Sequence, residues 1–364
     1  MEGYPGQVAL VLQGGGALGA YQVGVYEALH EAGVEPDWVI GTSIGAINGA
    51  IIAGNRPECR MARLEEFWRM VRNDRVAAVW GLWPQVANAV AHSDVMLNGI
   101  AGFFVPNSEA AWGMHVPLGA EKAAFYRTAP LEETLGRLVD FGCVNSAQTR
   151  LTLGAVNVRT SEMHYFDSRQ QPLDARHVMA SGALPPAFPA VRIDGDPYWD
   201  GGLYSNTPVE VVLDDKPRRD SLIFAANVWH SQGPEPETLW QVLGRQKDIQ
   251  YASRASSHIM RQQQIHRLRH IIRELSRLVP EERCADPEVK KMLDYGCATV
   301  MHLVPLHAPR LEAEDHTKDI DFTPAGIDAR RKAGYADARR ALEERPWARC
   351  EDAMDGVIIH GATA

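Results

Sequence analysis

The sequence predicts an α/β protein with a mostly parallel central sheet covered by helices, followed by a mainly helical C-terminal extension. Twice near the N-terminus, a short apolar run ends in a glycine-containing turn and continues into a helical stretch. Further along, apolar residues recur at helical spacing over residues 237–278. With 364 residues, the chain is long enough for one large domain plus an appendage.

The first strand–turn–helix unit has an apolar run at 7–12, three glycines at 14–16 and a helical stretch at 18–32. The second has a buried run at 38–40, a turn at 41–45 and a helix at 46–53. Two such units in succession form a βαβα arrangement, whose strands run parallel.

The remaining N-terminal elements are less regular. Residues 79–125, rich in Trp, Phe, Gly and Pro, show no clear period and are predicted to be irregular structure over the sheet edge. The other predictions are helices at 58–72 and 131–140, strands at 150–158, 162–167 and 221–228, a helical turn at 177–181 and a sharp turn at 198–202.

A turn-rich segment at 231–236 is the predicted linker, because it contains Gly and two prolines between a strand and a long helix. The segment separates two predicted regions. The first is a domain over 8–212, which a last strand extends to about 230. The second is an extension over 237–364, which is predicted to pack on that domain. The extension is predicted to contain a strand at 299–304 and a helix at 325–344.

Composition narrows the function. A formal net charge of -9 argues against a nucleic-acid binder, which needs excess Lys and Arg. Five cysteines without a C-x-x-C pair indicate neither a disulfide framework nor a zinc site, and favour a reducing compartment. Because no signal peptide or long apolar span is evident, a cytoplasmic location is expected.

The first glycine turn leaves two hypotheses open. Gly14-x-Gly16-x-x-Gly19 between a strand and a helix matches a dinucleotide fingerprint, with Glu35 or Asp37 near the position of a ribose-binding acid. Glycine amides at a helix N-terminus, however, stabilise any anion, and a tetrahedral oxyanion qualifies as well as a phosphate. Alternatively, the glycines make only a tight turn.

The second turn, Gly41-Thr42-Ser43-Ile44-Gly45, has the context of a nucleophile elbow. Such a sharp turn needs glycines two residues either side of the serine, because side chains there would collide with backbone. It would present the Ser43 hydroxyl at a helix N-terminus, where the dipole favours developing negative charge. The alternative is that Ser43 only caps the helix.

A nucleophilic serine needs a base, and Asp200-Gly201-Gly202 offers a carboxylate on a glycine turn after two aromatic residues. Burial beside aromatic rings would raise the pKa of Asp200 and make it a better base. Asp194 and Asp196 are rival acids, but their Asp-Gly-Asp-Pro context is typical of an exposed hairpin.

Three motifs resemble, in their order, those of the patatin-like phospholipase family. They lie at 13–19, at 41–45 and at 180–188, and the third leads to the turn at 200–202. The resemblance covers about residues 8–212, and the remainder is similar to a C-terminal extension found in some bacterial members. It implies a three-layer α/β/α fold and lipid or acyl-ester hydrolysis without metal or cofactor.

Carried over residue by residue, the resemblance implies a Ser–Asp dyad without histidine. Ser43 is the nucleophile, Asp200 the base, and the amides of Gly15 and Gly16, with Gly14, form the oxyanion hole. The chain departs from the family in having Leu18 where many members carry Arg or Lys, and Gln in place of Asp at position 13. Neutral acyl esters are therefore among the expected substrates.

Other hypotheses remain at this stage. A triad would use one of four histidines as base, namely His164, His177, His230 or His302. Acyl transfer would use the same dyad with another acceptor than water, and a non-catalytic protein would bind a nucleotide or lipid at the glycine turn.

Two segments could bring the chain to a membrane or lipid inclusion. Residues 245–277 carry eight basic and two acidic residues, which suits either anionic headgroups or a solvated helix face. Residues 79–125 could form a lid or simply pack. A homo-oligomer is a further expectation.

Overall fold

A computed structural model of the chain describes residues 4–75, 84–146, 148–311, 314–348 and 355–361. The strands are β1 (Gln7–Leu12), β2 (Trp38–Gly41), β3 (Val105–Pro106), β4 (Tyr126–Arg127), β5 (Arg150–Asn157), β6 (Met163–Asp167), β7 (Val191–Ile193), β8 (Asp196–Asp200), β9 (Ser221–Asn227), β10 (Met301–His307) and β11 (Val357–Ile359). The helices are α1 (Ala20–Glu31), α2 (Ile44–Ala53), α3 (Pro57–Val71), α4 (Pro84–Asn98), α5 (Ala129–Leu138), α6 (Phe141–Asn145), α7 (Ala175–Ser181), α8 (Glu210–Leu213), α9 (Leu239–Ser276), α10 (Glu281–Cys284), α11 (Pro287–Leu293) and α12 (Pro324–Glu344).

The central sheet has the strand order β11-β10-β9-β1-β2-β5-β8-β7, with β6 also paired to β5. The strands from β11 to β5 run parallel, whereas β6, β7 and β8 add antiparallel pairs. The predicted mostly parallel sheet is therefore confirmed.

Helices cover both faces of this sheet. On β1, Leu10 and Leu12 pack into one apolar core, while Ala9 and Val11 pack into a second core. Because successive strand residues point to opposite faces, the two cores lie on opposite sides of the sheet. A strand buried on both faces requires a helical layer on each, which is the expected three-layer α/β/α arrangement.

The region beyond the predicted linker belongs to the same sheet. Strand β10 pairs with β9, and β11 pairs with β10. Helix α12 packs on α1 through two glycines: a Cβ on Gly24 would lie 1.8 Å from the Arg331 carbonyl oxygen, and one on Gly334 would lie 1.9 Å from that of Tyr21. The predicted boundary at 231–236 thus separates two sequence regions that share one sheet.

Two secondary-structure predictions were wrong. Within 79–125, whose first five residues lie outside the described part, the structure has the helix α4 and the strand β3, which pairs with β4 just beyond this segment. The amino-acid pattern of α4 does not predict a helix with one apolar face, because its apolar residues Met96 and Leu97 lie on the exposed side. Residues 198–202, predicted as a turn, are mostly strand β8, and the turn begins only after Asp200.

Candidate active site

The serine turn and the aspartate turn meet because two strands end on the same edge of β5. Strands β2 and β6 both pair with Thr152 and Leu153, so they occupy opposite edges of β5. Strands β6 and β8 both pair with Ala155, so β8 lies on the edge that β2 occupies. Strand β2 ends with Gly41 opposite Leu153, and β8 ends with Asp200 opposite Ala155, two residues further along.

The gap between these strand ends is filled by Ser181, at the end of α7. Its hydroxyl donates to the carbonyl oxygen of Gly154 over 2.6 Å, and the Ser43 amide donates to the same hydroxyl over 3.2 Å and to the Ser181 carbonyl over 3.1 Å. The backbone of the serine turn is thereby fixed against β5.

Ser43 occupies a strained conformation, with φ 58° and ψ −124°. A Cβ on Gly41 would lie 2.3 Å from the Gly45 carbonyl oxygen, and one on Gly45 would lie 2.2 Å from that of Leu12, so both positions require glycine. The Ser43 hydroxyl makes no capping hydrogen bond to the helix that it precedes. Backbone strain of this kind is typical of functional sites.

Asp200 lies beneath this turn with only 1% of its surface exposed. Burial raises the pKa of its carboxyl from 3.8 to about 7, while hydrogen bonds from the Ser43 hydroxyl and the Gly202 amide oppose that rise. The Gly202 bond is 2.7 Å long. The carboxylate therefore touches the serine and has an affinity for protons suited to a base at neutral pH.

The first glycine turn follows β1 beside Ser43. Of the three glycines predicted for the oxyanion hole, Gly14 donates its amide to the Asn206 carbonyl over 3.2 Å. The amides of Gly15 and Gly16 have no acceptor among the described residues. All three glycines line one cavity together with Ser43 and Asp200.

This cavity has a volume of about 260 Å³ and is mainly apolar. Within the described part of the chain its lining contains no Lys, Arg or His, and its two charged residues are Asp200 and Asp319, of which Asp319 pairs with Lys247 at 2.7 Å. The apolar lining residues are Ile44, Ile47, Val95, Met96, Phe103, Phe104, Tyr126, Leu184, Ala187, Phe188, Trp229, Tyr251, Ile320 and Phe322.

The four histidines considered as an alternative base lie elsewhere. His164 contacts the rings of Phe166 and Tyr198, and His177 caps α7 by pairing with Asp174. The amide of His230 faces Asp248, and the His302 ring bonds the His360 ring. None of the four lines the cavity, which leaves Asp200 beside the serine.

The proposed ribose-binding acids are also engaged elsewhere. Asp37 accepts from the Val8 amide over 2.8 Å, and Glu35 pairs with Arg60 at 2.5 Å. Leu18, where a cation was considered, is buried and lies outside the cavity lining. Both acids considered for the ribose thus already have partners within the protein.

Several residues at the site were not singled out from the sequence. Asn206 stands six positions after Asp200, just beyond the Asp200-Gly201-Gly202 turn. Trp229, Tyr251 and Asp319 come from beyond the three motifs, and no sequence signal marks them. Tyr251 and Asp319 belong to the C-terminal region, so that region forms part of the cavity wall.

Comparison with known proteins shows which family the sequence matches. A sequence model described as patatin-like phospholipase matches residues 10–213, and a second, described as patatin phospholipase, matches residues 249–354. Lysophospholipase nte1 of Aspergillus terreus is 63% identical over 46 residues, and the human patatin-like phospholipase domain-containing protein 6 is 49% identical over 61 residues.

These similar segments are short. They cover 13% and 17% of this chain and 3% and 4% of those relatives. Among solved structures, VipD from Legionella pneumophila is 15% identical with a TM-score of 0.40, over 93% of this chain and 67% of VipD.

Proposed function

The chain belongs to the patatin-like phospholipase family, and from that premise we propose that it is a serine acyl hydrolase that cleaves lipid esters with a Ser43–Asp200 dyad. The observation that carries the proposal is that Ser43 and the buried Asp200 line one mainly apolar cavity, with the serine hydroxyl close enough to the carboxyl to lower its pKa. The Ser43 hydroxyl makes no capping bond to α2, and the capping bond from the Gly202 amide to Asp200 does not account for the position of that carboxyl beside the serine.

The proposed reaction has two halves. Ser43 Oγ attacks the ester carbonyl while Asp200 takes its proton, and the developing oxyanion accepts hydrogen bonds from the Gly15 and Gly16 amides. Asp200 then gives the proton to the leaving alcohol. In the second half, Asp200 takes a proton from water, whose oxygen attacks the carbonyl of the acyl-enzyme. Asp200 then returns that proton to Ser43 Oγ as the ester bond to the serine breaks, which releases the acid and restores the free enzyme.

The cavity lining supports an acyl chain as the group bound beside Ser43. Aromatic and aliphatic side chains favour a hydrocarbon, and no cation of the described lining is available to bind a phosphate. The volume of about 260 Å³ lies just below the usual range for ligand pockets, which favours short to medium chains over long ones. We therefore propose an uncharged acyl ester as the preferred substrate.

The dyad is tested by ester hydrolysis in matched variants. Ser43→Ala and Asp200→Asn should each lose at least 10³-fold in kcat, because nucleophile and base act as one unit. Ser146→Ala is the control, since that hydroxyl bonds the Cys143 carbonyl outside the cavity lining. Full activity of Ser43→Ala would refute the proposal. The panel should include neutral glycerides, phospholipids and thioesters, with an alcohol acceptor to detect acyl transfer.

Contact with a lipid surface is proposed at the cavity mouth. Met96 lines the cavity yet is 62% exposed, and Leu97 beside it is also exposed. The exposed Trp240 stacks on His316, three positions before the cavity residue Asp319, with ring centroids 4.2 Å apart. We propose that these exposed apolar side chains form a rim through which a lipid enters the cavity.

The C-terminal end of the basic segment at 245–277 is less well placed for this contact. At 1.5 Å per residue, Arg277 lies about 40 Å along the helix from Tyr251 in the cavity wall. Flotation with neutral vesicles should therefore be weakened by Trp240→Ser and Met96→Ser and unaffected by Arg273→Gln. Equal vesicle binding by all three variants would refute lipid contact through this rim. Among the described residues, no helix is long and apolar enough to cross a bilayer.

A further inference from the structure

We propose that Trp229 and Asn206 are positioning residues, which aim the Gly15 amide at the oxyanion by holding the carbonyl of Gly14. This inference rests on the proposed function and adds two residues to the site. Both side chains are buried, with 4% and 6% of their surface exposed.

Two side-chain donors converge on one carbonyl oxygen. The Trp229 indole Nε1 donates to the Gly14 oxygen over 2.7 Å, and the Asn206 amide Nδ2 donates to it over 3.1 Å. The indole also packs on the turn, because a Cβ on Gly15 would lie 3.2 Å from its Nε1.

The carbonyl of Gly14 and the amide of Gly15 belong to the same peptide unit. That unit is planar and trans, so its C=O and N–H point in opposite directions. Holding the oxygen therefore fixes the direction of the N–H. Glycines on both sides leave the rotation of this unit without steric restriction, so its orientation must be set by partners outside the turn.

The two donors are themselves held rigidly. The Gln13 side chain accepts from the Trp229 amide over 3.0 Å and donates to the Thr207 hydroxyl over 2.6 Å. A carboxylate at position 13 could accept but not donate, so the glutamine suits this particular network. The Trp229 ring packs on Tyr251, with centroids 4.9 Å apart, which connects the glycine turn to the C-terminal region.

A purely structural role would satisfy the buried Gly14 carbonyl and nothing more. Loss of a donor would then lower stability and affect substrate and inhibitor binding alike. A positioning role affects only the state in which the oxyanion exists. The two roles therefore differ in how kcat, KM and the affinity for an oxyanion analogue respond.

The test uses Trp229→Phe, which removes the N–H and keeps an aromatic ring. Its matched control is Trp347→Phe, because Trp347 is equally buried at 5% exposure and its indole nitrogen has no hydrogen-bond partner among the described residues. Asn206→Leu is the second variant, since it removes the donor, keeps a similar shape and brings no charge to the buried site.

We expect kcat for a medium-chain ester to fall about ten- to a hundredfold in both Trp229→Phe and Asn206→Leu, with KM within about twofold. The affinity for an alkyl trifluoromethyl ketone, which becomes an oxyanion on adding Ser43, should fall by the same factor. The affinity for the corresponding alcohol should not change, and Trp347→Phe should match wild type throughout.

Unchanged kcat in both variants, or equal losses for the ketone and the alcohol, would overturn the positioning role while leaving the dyad intact. Full activity of Ser43→Ala in the same assay would instead overturn the proposed function and this inference with it. The two failures are thus distinguishable.

Discussion

Replacing Asp200 with Asn should stabilise the fold above neutral pH while abolishing the proposed activity. The carboxyl pKa is raised from 3.8 to about 7, chiefly by burial. Between these two values the folded protein binds more protons than the unfolded chain, so the free energy of unfolding falls as pH rises. Above pH 7 both states are ionised, and the full cost of the buried charge is present.

That cost follows from the pKa difference of about 3. At 1.36 kcal/mol for each unit, ionised Asp200 destabilises the fold by about 4 kcal/mol at pH 8 and by less than about 1 kcal/mol at pH 4. Asn keeps the shape and can still accept from the Gly202 amide, but it carries no charge. Its stabilising effect should therefore grow by about 3 kcal/mol between pH 4 and pH 8.

Urea unfolding of wild type and Asp200→Asn at several pH values measures this difference. Asp167→Asn provides a control of opposite sign, because the buried Asp167 pairs with Arg150 at 2.7 Å and its loss weakens a buried ion pair. A stability difference for Asp200→Asn that stayed constant with pH, or a destabilisation at pH 8, would refute the reasoning.

Three further predictions concern the same site. The pH profile of kcat/KM should lose activity on the acid side with an apparent pKa near 7, as burial of Asp200 requires; a limb near pH 4 would contradict this. Gly45→Ala should cost about 3 kcal/mol in urea unfolding, because the new Cβ would lie 2.2 Å from the Leu12 carbonyl oxygen, whereas Gly136→Ala in α5 meets nothing within 4 Å and should be neutral or slightly stabilising. Phe188→Ala should shift the preferred acyl length upward across a homologous ester series, since that ring packs against Phe104 in the cavity wall; an unchanged preference would show that the chain binds elsewhere.

The local turns could be predicted from sequence because their chemistry is local. A strand ending in Gly41-Thr42-Ser43-Ile44-Gly45 specifies its own geometry, since a side chain at either outer glycine would overlap backbone within five residues or on the neighbouring strand. The parallel sheet followed from two such units in succession. The Asp200-Gly201-Gly202 turn likewise indicated which carboxylate to expect beside the serine.

The meeting of the turns could not be predicted from the residues alone. It depends on β2 and β8 sharing one edge of β5, and the sequence around Asp200 suggested a turn where the structure has a strand. The hydrogen bond from Trp229 to Gly14 spans 215 positions, and an isolated tryptophan carries no signal for such a contact. Long-range pairings of this kind become visible only in the fold.

The central claim is that Ser43 becomes acylated during turnover. Wild-type protein quenched in acid while hydrolysing an ester should show, by mass spectrometry, an added acyl mass on the peptide that contains Ser43, and Ser43→Ala should show none. An acyl adduct on another residue, or turnover by Ser43→Ala at the wild-type rate, would contradict the account.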